Sequence, residues 1–179
     1  MLRKILFASC FNLLSVLSYS QQIEFMFDKK PLNSIDSLEA KVGGLKFNYN
    51  YQIGLADDYV KGVKGYQIAN PLIFKRDLAP FTGRVSYHFS VPDSVLRLVE
   101  YEWEGNKQTI NELQDLFKKN QKFISEQLED QHPGFKEDRV KEEGWFRITD
   151  NWETDKTYIK QFVLLGSGTY RVRVMITWK

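Results

Sequence analysis

Residues Arg84 to Trp103 read RVSYHFSVPDSVLRLVEYEW, and the spacing within them decides the fold. Val85, Tyr87, Phe89 and Val91 alternate with Arg84, Ser86, His88 and Ser90, the two-residue period of a strand, and a second run, Val95 to Trp103, follows at once. Pro92-Asp93-Ser94 joins the runs. Proline has its φ already set for the first loop position of a turn, so 84–103 is expected to form an antiparallel hairpin. A three-residue loop pairs Val91 with Val95, Tyr87 with Val99 and Val85 with Tyr101, which keeps the apolar side chains on one face. On the other face the same register sets Ser86 against Glu100 and Arg84 against Glu102.

Beyond the hairpin the period changes. Ile110, Leu113, Leu116, Phe117, Phe123, Ile124 and Leu128 recur three, four and seven apart, predicting an amphipathic helix over about 109–130, opened by a capping box of Thr109 and Glu112. Such a helix is about 30 Å long, the length of a nine-residue strand, and can pack on a sheet face. Its other side is expected to pair Asp115 with Lys119 and Lys122 with Glu126. After a charged connection, 131–144, strand spacing returns in 145–152, 158–165 and 170–178, joined by short turns, which predicts an antiparallel meander over 145–178. Ile159 to Leu165 is apolar on both faces apart from Lys160 and Gln161, so it is placed centrally.

Upstream, Leu45, Phe47, Tyr49, Tyr51 and Ile53 alternate with polar residues, an extra half-buried strand over 45–53, with a short helix around Ile35 to Val42. Residues 54–82 give no definite element. The fold class is therefore α+β, a predominantly antiparallel sheet with one long helix on a face, and no repeat or linker divides the chain after residue 20.

The N-terminus reads as a secretory signal peptide over 1–20. Arg3 and Lys4 form the positive region, Ile5 to Leu17 an apolar stretch of 13, and Ser18-Tyr19-Ser20 a small-x-small cleavage site. Thirteen apolar residues fall short of the about 20 that span a bilayer, so no stable span remains after cleavage. Phe7-Ala8-Ser9-Cys10 also resembles a lipoprotein box, but Cys10 follows only five apolar residues. The expected product, 21–179, is a single exported domain, periplasmic or secreted. Cleavage removes two of the 25 basic side chains, leaving 23 against 23 acidic, and the only cysteine. A neutral domain has no long-range field for nucleic acid, and a cysteine-free one has neither disulfides nor thiolate chemistry. A chain of this length can instead bury about 70% of its unfolded surface in an ordinary core.

The sequence carries no phosphate-binding glycine loop, no nucleophile elbow and no calcium or histidine metal motif, so neither cofactor nor metal is expected. Gly166-Ser167-Gly168 suits a turn, and Asp57-Asp58 with Asp77 lack calcium-loop spacing. His132 sits before Pro133 in a polar loop. His88 is the candidate base, in an ionisable cluster with Arg84, Glu100 and Glu102, which Arg171 and Arg173 join if the last strand neighbours the hairpin. The plain account of this cluster is cross-strand charge pairing on a soluble face. The alternative is a small hydrolase or isomerase using His88 oriented by Glu100. A third reading uses exposed aromatics to bind glycans. By parity Trp145 and Trp152 lie on opposite faces of one strand, so one is expected to be exposed and to act as an anchor. The leading expectation is an exported, non-enzymatic binding domain for an apolar ligand, a glycan or a protein partner.

Overall fold

β-branched and aromatic residues at alternate positions favour extended backbone because their bulk packs well on a pleated surface, and such runs recur along this chain. The computed structural model describes residues 25–49, 55, 60–78, 81–128 and 136–179. A 3-10 turn at Leu32–Ser34 leads into helix α1 (Ile35–Lys41), followed by β1 (Leu45–Phe47), β2 (Leu72–Leu78), β3 (Phe81–Phe89) and β4 (Leu96–Glu104). Helix α2 (Ile110–Gln127) precedes β5 (Lys136–Glu142), β6 (Trp145–Glu153), β7 (Thr157–Gly166) and β8 (Thr169–Trp178). All eight strands form one antiparallel sheet in the order β1-β2-β3-β4-β8-β7-β6-β5. The fold is thus an antiparallel α+β arrangement, in which two four-stranded meanders meet where β8 pairs with β4. The meander of β6, β7 and β8 has the expected order, and β7 lies inside the sheet, although the centre is the β4–β8 pair.

The hairpin register holds from Thr82↔Glu104 to His88↔Leu98, including Val85↔Tyr101, Tyr87↔Val99, Ser86↔Glu100 and Arg84↔Glu102. Near the turn it departs from expectation. Phe89 pairs with Leu96, leaving Arg97 as the extra residue of a bulge, and Ser90 N–H donates to Val95 O at 3.0 Å. Val91 is exposed and does not pair with Val95; its N–H goes to Gln67 O at 2.8 Å. Asp93, whose carboxylate accepts from Ser90 Oγ, Val95 N–H and Arg97 Nη2, holds a four-residue loop, 91–94, in place of the expected three-residue one.

Further expectations need correction. The strand near 45–53 is only β1; Asn48 and Tyr49 are not in a strand, and 50–53 lie outside the described residues. It is an edge strand, so Leu45 and Phe47 stay 68% and 49% exposed rather than half-buried. The charged stretch 131–144 contains β5, whose seven residues include six charges. At an edge, side chains stay solvated, and charge there blocks pairing with other chains, so an edge strand needs no apolar period. In 54–82, β2 escapes notice because Arg76 takes a position facing the core. The 3-10 turn Lys107–Thr109 starts the long helix one turn earlier than expected. Asn106 Oδ1 accepts from Gln108 N–H at 2.8 Å and Thr109 Oγ1 from Asn106 N–H at 2.9 Å, so Thr109 closes this box instead of pairing with Glu112. On the outer side Asp115 meets Lys118, not Lys119, at 3.9 Å, and Lys122 meets Glu126 at 3.7 Å.

The main hydrophobic cluster joins Val85, Tyr87, Tyr101 and Trp103 to Leu113, Phe117 and Ile124 of α2 and to Trp152, Val163, Val172 and Val174. Full burial of such side chains is worth about 1.5–3 kcal/mol each. Trp152 Nε1 donates to Ser125 Oγ at 3.2 Å and Gln161 Nε2 to Phe117 O at 3.0 Å, tying β6 and β7 to α2. At the other end Glu39 of α1, fully buried, accepts from Arg76 Nε at 2.9 Å and Nη2 at 2.7 Å and from the Tyr87 hydroxyl. A Cβ on Gly44 would stand 2.2 Å from the same carboxylate, so only glycine lets the chain turn back into β1 there.

Candidate functional site

Strand parity gathers the ionisable side chains on the sheet face opposite the main cluster. One row runs Lys75, Arg84, Glu102, Arg173, Phe162 across β2, β3, β4, β8 and β7, and the next sets Ser86 beside Glu100 and Met175. Because β8 returns to β4, Arg171 and Arg173 reach the hairpin cluster. The Glu102 carboxylate is 1% exposed; it accepts from Arg84 Nη2 on one oxygen and from Arg173 Nη2 on the other, with Arg171 Nη1 at 3.6 Å. Arg173 Nε stands 3.6 Å from Glu100 Oε1, and its guanidinium lies 5.6 Å from the Phe162 ring. Both carboxylates are therefore enclosed and neutralised by guanidinium groups, an arrangement whose attraction offsets the cost of removing charge from water.

His88 lies on this same face but is 3% exposed, not on a solvated surface. Its register partner Leu98 belongs to a second, smaller hydrophobic cluster with Val60, Val63 and Met175, so the face expected to be soluble is partly covered. Thr177 Oγ1 donates to Lys61 O at 2.6 Å and holds the 60–63 segment against β8. Gly62 makes that approach possible: its φ is +99° and a Cβ would come 2.7 Å from Thr177 Oγ1. Neither ring nitrogen of His88 has a hydrogen-bond partner, so the expected orientation by Glu100 is not made. Burial pushes the imidazole pKa down to about 4, with Glu100 raising and Arg173 lowering it. At neutral pH His88 is an uncharged, enclosed ring.

Beside the charged row, a pocket of about 130 Å³ opens between Phe47, Ile73, Arg84 and Glu102. Arg84, with 44% of its side chain exposed, is the member of the network that reaches solvent there. Of the two tryptophans, Trp152 is 1% exposed and bonded to Ser125, whereas Trp145 is half-buried with the Arg147 guanidinium 5.9 Å from its ring. The Gly166-Ser167-Gly168 turn carries positive φ at all three residues. His132, Asp57, Asp58 and residues 1–20 lie outside the described residues. Among the described residues no group of three acidic, histidine or cysteine side chains could hold a metal, and no helix is long and apolar enough to cross a membrane.

A second polar cluster lies under α2, where sequence reasoning did not look. Asp150 and Gln161 are register partners, both fully buried, with Gln161 Nε2 3.3 Å from Asp150 Oδ2. Asp150 Oδ1, Gln161 Oε1 and Asn120 Nδ2 have no partner. Burial pushes the Asp150 pKa up to about 6 against the hydrogen bond from Gln161, with Glu137 adding to the rise. The signal was available: Asp150 shares the parity of Ile148 and Trp152, a carboxylate at a core-facing position. No family model, curated protein or solved structure matches the chain.

Proposed function

We propose that the protein is an exported binding domain and not an enzyme, with α2 across one sheet face and contact surfaces on the opposite face, one at Phe47 and Arg84 and one at Trp145. The observation that carries this reading is the closure of the ionisable cluster. A general base must come within about 2.6–3.2 Å of the proton it takes, directly or through a water. His88 is enclosed and not hydrogen-bonded to Glu100, and Glu102 already receives two guanidinium groups. What remains accessible is apolar and aromatic surface, Phe47 stacked with Tyr49 at 6.4 Å beside the outer part of Arg84, and the half-buried Trp145 on β6, four strands away from Arg84. Such surfaces take apolar molecules, glycans or a partner chain.

Export rests on the pattern of residues 1–20. Fractionating cells that express the native gene, with intact-mass measurement, tests it: a product beginning at Gln21 in the exported fraction is expected, and a full-length chain held in the cytoplasm overturns it. A broad hydrolase and isomerase screen tests the rest. Turnover abolished by His88→Ala in a folded protein would replace the binding reading with the catalytic one. Tryptophan fluorescence titrated with glycans and peptides is expected to shift saturably with one class and to lose that shift in Phe47→Ala or Trp145→Ala.

A further inference from the structure

A second concave surface lies on the α1 side of the sheet. A groove of about 830 Å³ runs between the segment Lys29–Asn33, the start of β2 and the β3–β4 turn. Its volume is in the range of small-molecule sites, about 300–1,000 Å³. Leu72, Val95 and Leu96 supply an apolar floor, and Leu32, 42% exposed, stands at its edge. Three lysines, Lys29, Lys30 and Lys46, line the groove, the Lys29 ammonium 6.0 Å from the Trp178 ring, against one acidic residue, Asp36.

That carboxylate is already taken: Lys46 Nζ lies 3.0 and 3.2 Å from its two oxygens. Nearby Arg97 is matched by Asp93 at 2.6 Å. No carboxylate of the described residues forms an ion pair with Lys29 or Lys30, although the mature chain as a whole is expected to balance its charges. The backbone that carries the two lysines is anchored, since Met26 N–H donates to the Tyr101 hydroxyl and Trp178 Nε1 to Phe27 O, both at 2.8 Å. Partial burial and Arg97 hold the Lys29 ammonium below the usual lysine range, a cost that a bound anion relieves.

We propose that this groove binds a single-chain fatty-acid carboxylate, the acyl chain lying on Leu72, Val95 and Leu96 and the carboxylate between Lys29 and Lys30. The proposal rests on the binding reading above but uses a different surface, so each can fail alone. Lysine suits the head group because a compact ammonium with rotatable donors accepts a mobile carboxylate without a fixed fork geometry. The apolar floor excludes a small anion as the preferred ligand, since acetate would leave that surface wet.

Isothermal titration of the exported protein with decanoate below its micelle concentration tests the proposal. One saturable site is expected, with acetate and decyltrimethylammonium giving no saturable heat. The double variant Lys29→Gln, Lys30→Gln is expected to bind decanoate at least ten-fold more weakly. Leu32→Glu, which places a carboxylate at an already exposed position, should do the same; circular dichroism confirms that both variants fold. Absence of saturable decanoate binding, affinity unchanged in both variants, or acetate binding as tightly as decanoate overturns the proposal. Decyl phosphate binding in place of decanoate would overturn the carboxylate assignment. A decanoate failure together with correct export and the Phe47-dependent shift would leave the binding reading standing.

Discussion

Glu102 is the residue on which the charged face depends, because Arg173, with 10% of its side chain exposed, has its counter-charge there. Removing one partner of a buried pair costs about 3–5 kcal/mol, since the remaining charge stays out of water. Glu102→Ala is therefore expected to lower urea-unfolding stability by about that amount. Arg84→Ala should cost under about 1 kcal/mol, because the Arg84 side chain is 44% exposed. Equal losses in the two variants would show that the network does not centre on Arg173. Two other buried groups give opposite pH dependences. The Asp150 pKa is raised on folding to about 6, so its contribution is full below the unfolded value and is lost as pH rises through 6. The His88 pKa is depressed to about 4, so its contribution is full above the unfolded value of about 6.5 and is lost as pH falls toward 4. Relative to wild type, Asp150→Asn is expected to gain about 1–3 kcal/mol at pH 7.5 and almost nothing at pH 4, and His88→Gln to gain similarly at pH 4.5 but not at pH 7.5. Urea midpoints at the two ends of the range check this, and gains in the same pH window for both variants would contradict it.

At the scale of elements, the start of α2 separates two accounts of one sequence. Thr109 followed by Glu112 fits a capping box on paper, yet Asn106 and Thr109 close the box one turn earlier. Asn106→Ala is thus expected to cost about 1 kcal/mol and Glu112→Ala only a few tenths, read from thermal unfolding by circular dichroism. The reverse ranking would restore the later start. The two edge strands also differ in kind. β5 carries six charges in seven residues, a surface that resists pairing with another sheet, whereas β1 presents exposed Leu45 and Phe47.

The whole molecule is held by the return of β8 to β4, which joins two meanders separated in sequence by α2. Local hairpins can form early, and this junction is expected to close late because it brings together residues about seventy positions apart. Amide hydrogens paired across it, around Tyr101 and Val174, are expected to exchange only through global unfolding, while those of β5 exchange through local opening. Hydrogen exchange followed by mass spectrometry measures the difference; comparable protection at the centre and at the β5 edge would contradict it.

Periodicity alone determined the hairpin, the long helix and the three-strand meander, because alternation and helical spacing are imprinted wherever one face is buried and the other is wet. It also placed Arg84 opposite Glu102, since that register follows from Val85, Tyr87 and Phe89 needing one face. β5 and β2 were illegible for a physical reason: an edge strand has no second neighbour to demand an apolar row, and Arg76 of β2 faces the core only because Glu39, 37 residues earlier, meets it there. The same holds for the candidate site. That His88, Glu100, Glu102, Arg171 and Arg173 share one face could be read conditionally, but the cover beside His88, over Leu98 and Met175, depends on the 60–63 segment folding over the sheet through Gly62 and Thr177. Burial, and with it the depressed His88 and raised Asp150 pKa values, is a property of what lies on top of a residue, and only the tertiary structure decides that.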